Sequence, residues 1–271
     1  MTIRDGNVID PDVEARIQAE LDKIERAHGV EIILAVESGS RAWGFPSPDS
    51  DYDVRFLYVR PAEAYLSVMP RRDVIERPID ATLDMNGWDL RKAMQLLARS
   101  NAVLIEWLTS PIRYRDTGAL PTELLGLAVA CADIAALAYH YDRLARRSFD
   151  SVLAGMDNVR LKTYCYALRA ALALGWLRTH GTPPPMDLPE LLRGLDLSAA
   201  VTGTVEALVA RKATALEAAT TKSLAELDAL IGAALSVPAP RPALLDRVET
   251  VARLDAAFAG IILGRLGAAK Q

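Results

Sequence analysis

The chain has 271 residues, 51% of them hydrophobic and 24% charged, with a formal net charge of −4. That length and balance suit one large or two ordinary globular domains and exclude wholesale disorder, and the acidic balance excludes a protein that grips nucleic acid over its whole surface. Two cysteines without Cys-x-x-Cys spacing and three scattered histidines argue against a zinc site or a disulfide scaffold, so Cys131 and Cys165 are expected as buried small hydrophobes.

Val13, Ile17, Leu21 and Ile24 recur at helical spacing behind an Asp/Pro start and ahead of Gly29, which predicts an amphipathic helix from Asp10 to about His28. VEIILAVE (30–37) and YDVRFLYV (52–59) are short β-branched runs joined by the turn-rich SGSRAWGFPSPDSD, which predicts two strands around a functional loop. A weaker extended segment follows over 75–85. Gly87 then precedes a periodic helix, WDLRKAMQLLARS, and a second helix is expected over 103–108. Beyond Gly118 alanine and leucine dominate, and helical periodicity runs through 120–147, 156–179, 188–192, 202–235 and 243–266, with prolines 183–185 and the 237–242 stretch as breaks. The Ala-rich stretch 213–234 is expected to be a plain packed helix, and there is no internal repeat. The fold class expected is α+β: a small mixed sheet with flanking helices over residues 1–117, then an all-α domain over 118–271 that closes a cleft. No apolar run reaches the 18 to 20 residues or so that span a bilayer, and the polar start is not a secretory signal, so a cytoplasmic protein without membrane contact is expected.

The chemistry centres on the first strand–loop–strand unit. Gly39 and Ser40 follow the first strand and open a helix-compatible RAWGF; a tight turn there offers backbone N–H groups, the Ser40 hydroxyl and the Arg41 charge to a phosphate. Asp51 and Asp53 stand two apart at the entry of the second strand, where a period of two puts both carboxylates on one face. Two like charges held that close call for a cation between them, and hard oxygen donors suit Mg²⁺ or Mn²⁺ that also takes oxygens from a nucleoside triphosphate (NTP). Glu37, a charge at the end of an apolar strand, is expected to hold Arg41 in place.

Gly-Ser after one strand with Asp-x-Asp at the start of the next resembles the nucleotidyltransferase superfamily of DNA polymerase beta. ESGSRAWGFPSPDSDYDVRFLYV (37–59), NGWDLRKAMQLLARSNAVLIEWLTSPIRY (86–114) and LKTYCYALRAALALGWLRTHGTPPPMDLPELL (161–192) are similar to the bacterial and phage branch associated with RNA repair. The resemblance implies a third carboxylate on a neighbouring strand, for which Asp84 is the best match, Asp80 the next and Asp89 a helix-starting competitor. It also implies that Asp51, Asp53 and Asp84 hold two divalent ions for in-line attack of a hydroxyl on the α-phosphorus. Lys162 and Arg169, seven apart on one helix face, match the family pattern and could reach the triphosphate. Lys92 is expected to pair with Asp89, and Glu106 and Trp107 to sit in the core. The function implied is transfer of a nucleoside monophosphate from an NTP to RNA, protein or a small molecule. The alternative is an antitoxin-like module that binds the nucleotide without turnover.

Overall fold

A computed structural model describes residues 9–77, 82–155, 158–242 and 247–268. Among them the chain divides into two compact units that are not contiguous in sequence: a sheet unit of residues 9–38, 51–131 and 247–268, and a helical unit of residues 39–50 and 132–242. The expected cut after residue 117 falls between the last strand of the sheet and the helix after it. Residues 39–50 leave the sheet unit between its first two strands, and the C-terminal helix returns to it.

The sheet unit begins with helix α1 (Pro11–His28), whose start and stop follow from its ends. The Asp10 carboxylate accepts the Asp12 and Val13 N–H groups, and Gly29 takes the left-handed conformation at φ 58°. Strands β1 (Glu31–Glu37) and β2 (Tyr52–Val59) pair antiparallel as the two β-branched runs predict. Strands β3 (Val74–Glu76) and β4 (Leu83–Asp89) follow, with β4 running parallel to β2 and antiparallel to β3. With β5 (Arg113–Asp116), the order across the mixed five-stranded sheet is β3-β4-β2-β1-β5. Val54, Phe56 and Tyr58 of β2 and Leu83 and Met85 of β4 pack with Ile17, Leu21 and Ile24 of α1 in one core. Side chains alternate along a strand, so Asp53 and Arg55 of β2 and Asp84, Asn86 and Trp88 of β4 occupy the opposite face.

Strand β4 runs four residues further than the expected end at residue 85, and Gly87 lies inside it. The reason is packing: a Cβ at Gly87 would stand 2.0 Å from the Phe56 ring, so the glycine lets a core aromatic lie against the neighbouring strand. Helix α3 (Leu90–Leu97) therefore starts at Leu90, with Asp89 as its N-cap. Helices α4 (Ala102–Leu108) and α5 (Leu120–Cys131) complete this stretch, and the C-terminal helix lies beside α3. Lys92 pairs with Asp73 at 3.3 Å rather than with Asp89, whose carboxylate is taken by the Arg91 N–H, the Tyr65 hydroxyl and Arg60. Glu106 and Trp107 are buried as expected, with Trp107 stacked on Trp88 at 3.8 Å.

The long helix expected over 120–147 is broken at Ala132–Asp133, where the chain enters the helical unit. Helix α6 (Ile134–Gly155) starts afresh there because the Asp133 carboxylate accepts the Ala135 and Ala136 N–H groups. Helix α7 (Leu161–His180) is buried along most of its length, and α8 (Leu188–Gly194) follows the prolines. The stretch 202–235 is two helices, α9 (Ala199–Thr214) and α10 (Ala225–Leu235), not one. Between them Thr220–Thr221 (β7) pairs with Val159–Arg160 (β6), so a two-stranded ribbon interrupts both the Ala-rich stretch and the otherwise helical half. The last helix, α11 (Val248–Ala268), belongs to the sheet unit. Cys165 is buried and Cys131 only partly so, and both are free thiols. No single helix among the described residues is long and apolar enough to cross a membrane.

Candidate active site

On the face of the sheet opposite α1, Asp53 and Asp84 are register partners on adjacent parallel strands. Arg55 lies two residues beyond Asp53 on the same face. Its Nη2 donates to Asp53 Oδ1 and to Asp84 Oδ2, each at 2.8 Å, while Nη1 donates to the Val54 and Asp84 carbonyls at 3.2 and 3.0 Å. One cationic group thus draws together two carboxylates whose side chains are each 31% exposed. The backbone beneath is fixed by a buried carboxyl group. Glu37 is fully buried, and its carboxylate accepts the Asp53 N–H at 3.0 Å and the Tyr114 hydroxyl at 2.6 Å. The Ser38 N–H donates to the Asp53 carbonyl at 2.8 Å, so both polar backbone atoms of Asp53 are held by the end of β1 and the residue after it.

Asp51 is exposed immediately ahead of β2 and takes no part in the Arg55 tie. Of the three predicted metal ligands the structure joins two, Asp53 and Asp84. Among the described residues no group of three or more His, Cys, Asp or Glu side chains is arranged to hold a metal ion. Asp80, the competitor for third carboxylate, falls outside the described residues, and Asp89 is a buried helix cap. Burial pushes the Asp89 carboxyl up, against the pull of the Arg91 N–H, Tyr65 and Arg60.

The helical unit holds the residues expected to meet a triphosphate. Gly39 sits at φ 62° and opens a four-residue helix, α2 (Gly39–Ala42), so the Gly-Ser pair forms the expected turn. Ser40 and Arg41 are buried, at 5% and 8% exposure. The Ser40 hydroxyl donates to Ser50 Oγ at 3.3 Å, and Arg41 Nη2 donates to the Ser50 carbonyl at 3.0 Å. The Ser47 N–H also reaches Ser50 Oγ, which in turn donates to Glu217 at 3.1 Å. Lys162, at the start of α7, pairs with the same Glu217 at 2.8 Å. Arg169 is 2% exposed; its Nε donates to the Met186 carbonyl at 2.9 Å and its guanidinium lies 4.5 Å from the Trp43 ring centre. Lys162 is therefore the more open of the two predicted triphosphate contacts, and Arg169 packs beneath the 39–50 segment.

Several members of this arrangement escaped the sequence reading. Lys212 is 1% exposed and donates to Ser47 Oγ at 2.9 Å; burial holds its amine below the usual lysine range. Its signal was available, because Val205, Leu208, Val209 and Lys212 follow the i, i+3, i+4, i+7 pattern of a buried helix face. Arg55 likewise continues the period of two from Asp51 and Asp53. Glu217 sits in a connection that the Ala-rich composition disguised as helix.

Residues 13–259 match the family described as "RNA repair pathway DNA polymerase beta family". The chain belongs to this family. A relative from Bacillus subtilis (strain 168), an uncharacterized protein named YcgL, is 46% identical over 200 residues, spanning 74% of this chain and 76% of its own. A solved structure, a nucleotidyltransferase-like protein from Exiguobacterium sibiricum 255-15, aligns over 83% of this chain and 74% of its own at 12% identity and a TM-score of 0.32. So remote a likeness says nothing of chemistry.

Proposed function

We propose that this family member is a divalent-metal-dependent nucleotidyltransferase that moves a nucleoside monophosphate from an NTP to a hydroxyl acceptor, with an RNA end as the favoured acceptor class. The observation that supports it is the pairing of Asp53 and Asp84 across parallel strands around one cationic group. Oxygen donors already converging on positive charge are the chemistry that suits a hard divalent ion, which makes the pair a fit for Mg²⁺ or Mn²⁺. Asp53 and Asp84 would hold it, with Asp51 joining from the mouth of β2 and Arg55 giving way. When bound, such an ion neutralises phosphate charge and lowers the pKa of an acceptor hydroxyl.

The remaining work falls to the chain's own groups. Glu37 fixes the Asp53 backbone, so the carboxylate is preorganised rather than recruited. In the helical unit the Gly39–Ser40 turn, Ser50 and Lys162 supply donors of the kind that bind phosphoryl oxygens, and Arg169 and Lys212 hold the 39–50 segment in shape.

A second reading is favoured by the same arginine. Arg55 already occupies an oxygen of each carboxylate, which is what a module that binds nucleotide without turnover would keep. One experiment separates the two: incubation of wild type and Asp53→Asn with labelled NTPs, Mg²⁺ and either total RNA or cleared extract. Label entering RNA with wild type alone supports the transferase. Mg²⁺-dependent NTP binding with no label in RNA, protein or small molecules turns the assignment to the module.

A further inference from the structure

The Glu217 carboxylate has the surroundings of a bound phosphoryl group. Lys162 Nζ reaches its Oε2 at 2.8 Å, and Ser50 Oγ reaches its Oε1 at 3.1 Å. An ammonium and a hydroxyl converging on two oxygens of one anion is the donor set that elsewhere grips phosphate. The same Ser50 oxygen accepts the Ser47 N–H and the Ser40 hydroxyl, so Glu217 is tied into the segment that opens with Gly39 and Ser40. Its backbone is tied to that segment too, because the Asp49 carboxylate accepts the Glu217 N–H at 2.9 and 3.2 Å. Partial burial works against the ionised form, yet Lys162 and the Ser50 hydroxyl outweigh it and hold the carboxyl below its usual range. The charge is therefore present at neutral pH. All of these groups belong to the helical unit.

We propose that Glu217 is the resident occupant of an anion cradle formed by Lys162 and Ser50, and that nucleotide binding is an exchange in which a triphosphate displaces this carboxylate. The inference rests on the nucleotide-binding reading above and adds a residue that tunes it. Glu217 acts through Lys162 and Ser50 and is a positioning residue. A displaced carboxylate stays tethered beside the incoming anion, so it lowers affinity and sharpens the demand for a ligand carrying several negative charges.

The test is calorimetric binding of inorganic tripolyphosphate, and separately of ATP with Mg²⁺, to the full-length protein. Glu217→Gln keeps the shape and an acceptor for the Ser50 hydroxyl but removes the competing charge. It is expected to bind tripolyphosphate about ten-fold more tightly than wild type, the scale of one like charge removed at a few ångströms in a partly exposed site. Lys162→Met is expected to bind several-fold more weakly, and the Lys162→Met/Glu217→Gln double variant to resemble Lys162→Met, because without Lys162 no cradle remains to release. A structural role for Glu217 would make Glu217→Gln neutral or weaker, and that result overturns the exchange while leaving the transferase reading intact. If neither wild type nor Glu217→Gln binds tripolyphosphate or Mg²⁺-ATP, both readings fall. Glu217→Ala with an unchanged melting temperature checks that any gain comes from the lost charge and not from a loosened loop.

Discussion

The two units each hold carboxylates against a cation, and they do so on different footings. In the sheet unit Asp53, Arg55 and Asp84 stand on two paired strands, and a fully buried Glu37 grips the backbone of one of them. In the helical unit Lys162 and Glu217 stand on the first turn of a helix and in a connection between helices, with the Ser50 hydroxyl of the 39–50 segment on the other oxygen of Glu217. A ladder of backbone hydrogen bonds fixes the first set; the second is held chiefly by side chains that can change partner. The difference suits a division of labour in which the sheet holds what must stay still and the helical unit what must take hold and let go.

The largest expected effect tests the rigid half. Asp84→Asn and Asp53→Asn should each lower the rate of nucleotidyl transfer by about 10³-fold, the scale for removing one preorganised charge contact. Melting temperature should move little, because each side chain is partly exposed and the backbone bonds remain. A rate loss for Asp53→Asn alone would show that the two register partners are not equivalent and break the pairing argument.

Packing sharpens the same contrast at a smaller scale. A Cβ at Gly87 would lie 2.0 Å from the ring of Phe56, and one at Gly194 would lie 2.0 Å from the ring of Trp176. Phe56 is 1% exposed in the core and cannot step aside, whereas Trp176 is partly exposed and has room to move. Gly87→Ala is expected to destabilise by about 3 kcal/mol and Gly194→Ala by about 1 kcal/mol or less, read from denaturant midpoints. Equal costs would show that the sheet face is no stiffer than the helical unit.

Lys212 tests how far the helical unit depends on a buried charge. Lys212→Ala removes a fully buried side chain and strands the Ser47 hydroxyl, with an expected cost of about 2 kcal/mol. Lys212→Met keeps most of the volume, and since burial disfavours the amine's charge, its cost should be about 1 kcal/mol or less. The gap between the two variants separates packing from hydrogen bonding.

Much of this contrast was legible before any coordinates, for physical reasons that vary by residue. Helix α1 announced itself because its cap residues and its core spacing agree, and Asp89 was readable as a helix start because a carboxylate there meets free N–H groups. Strand β2 and its Asp-x-Asp entry were readable through the period of two. Gly87 misled because its glycine answers to the Phe56 ring, a contact 31 positions away in sequence that no local pattern carries. The breaks at Asp133 and at Thr220–Thr221 were hidden by alanine-rich composition, which favours helix without fixing where a helix stops. Strand β5, four residues long, exists only because the edge of β1 is there to pair with it. The Asp53–Asp84 partnership came from family likeness; the residues that hold it, Arg55 and Glu37, depend on strand order, which the sequence does not display.

The smallest expected effect separates the two units by the sign of a pH response. In the helical unit Asp142 is 3% exposed; burial alone would raise its carboxyl, but the bidentate Arg146 contact at 2.8 and 3.0 Å and the Ala239 N–H hold it below the ordinary value of 3.8. A depressed carboxyl contributes stability that is complete above the unfolded value and is lost as the pH falls through the folded one, so acidification below about pH 3.8 should destabilise this unit. In the sheet unit Asp89 runs the other way. Burial raises its carboxyl above 3.8, so its ionised form carries a penalty at neutral pH that is relieved as the pH falls toward the unfolded value. Hydrogen exchange followed from pH 6 to pH 3 should show α6 losing protection while α3 holds or gains, relative to the rest of each unit. Asp142→Asn should flatten the first response and Asp89→Asn the second, and the crossed pattern would mean that the two carboxylates had been assigned to the wrong electrostatic regimes.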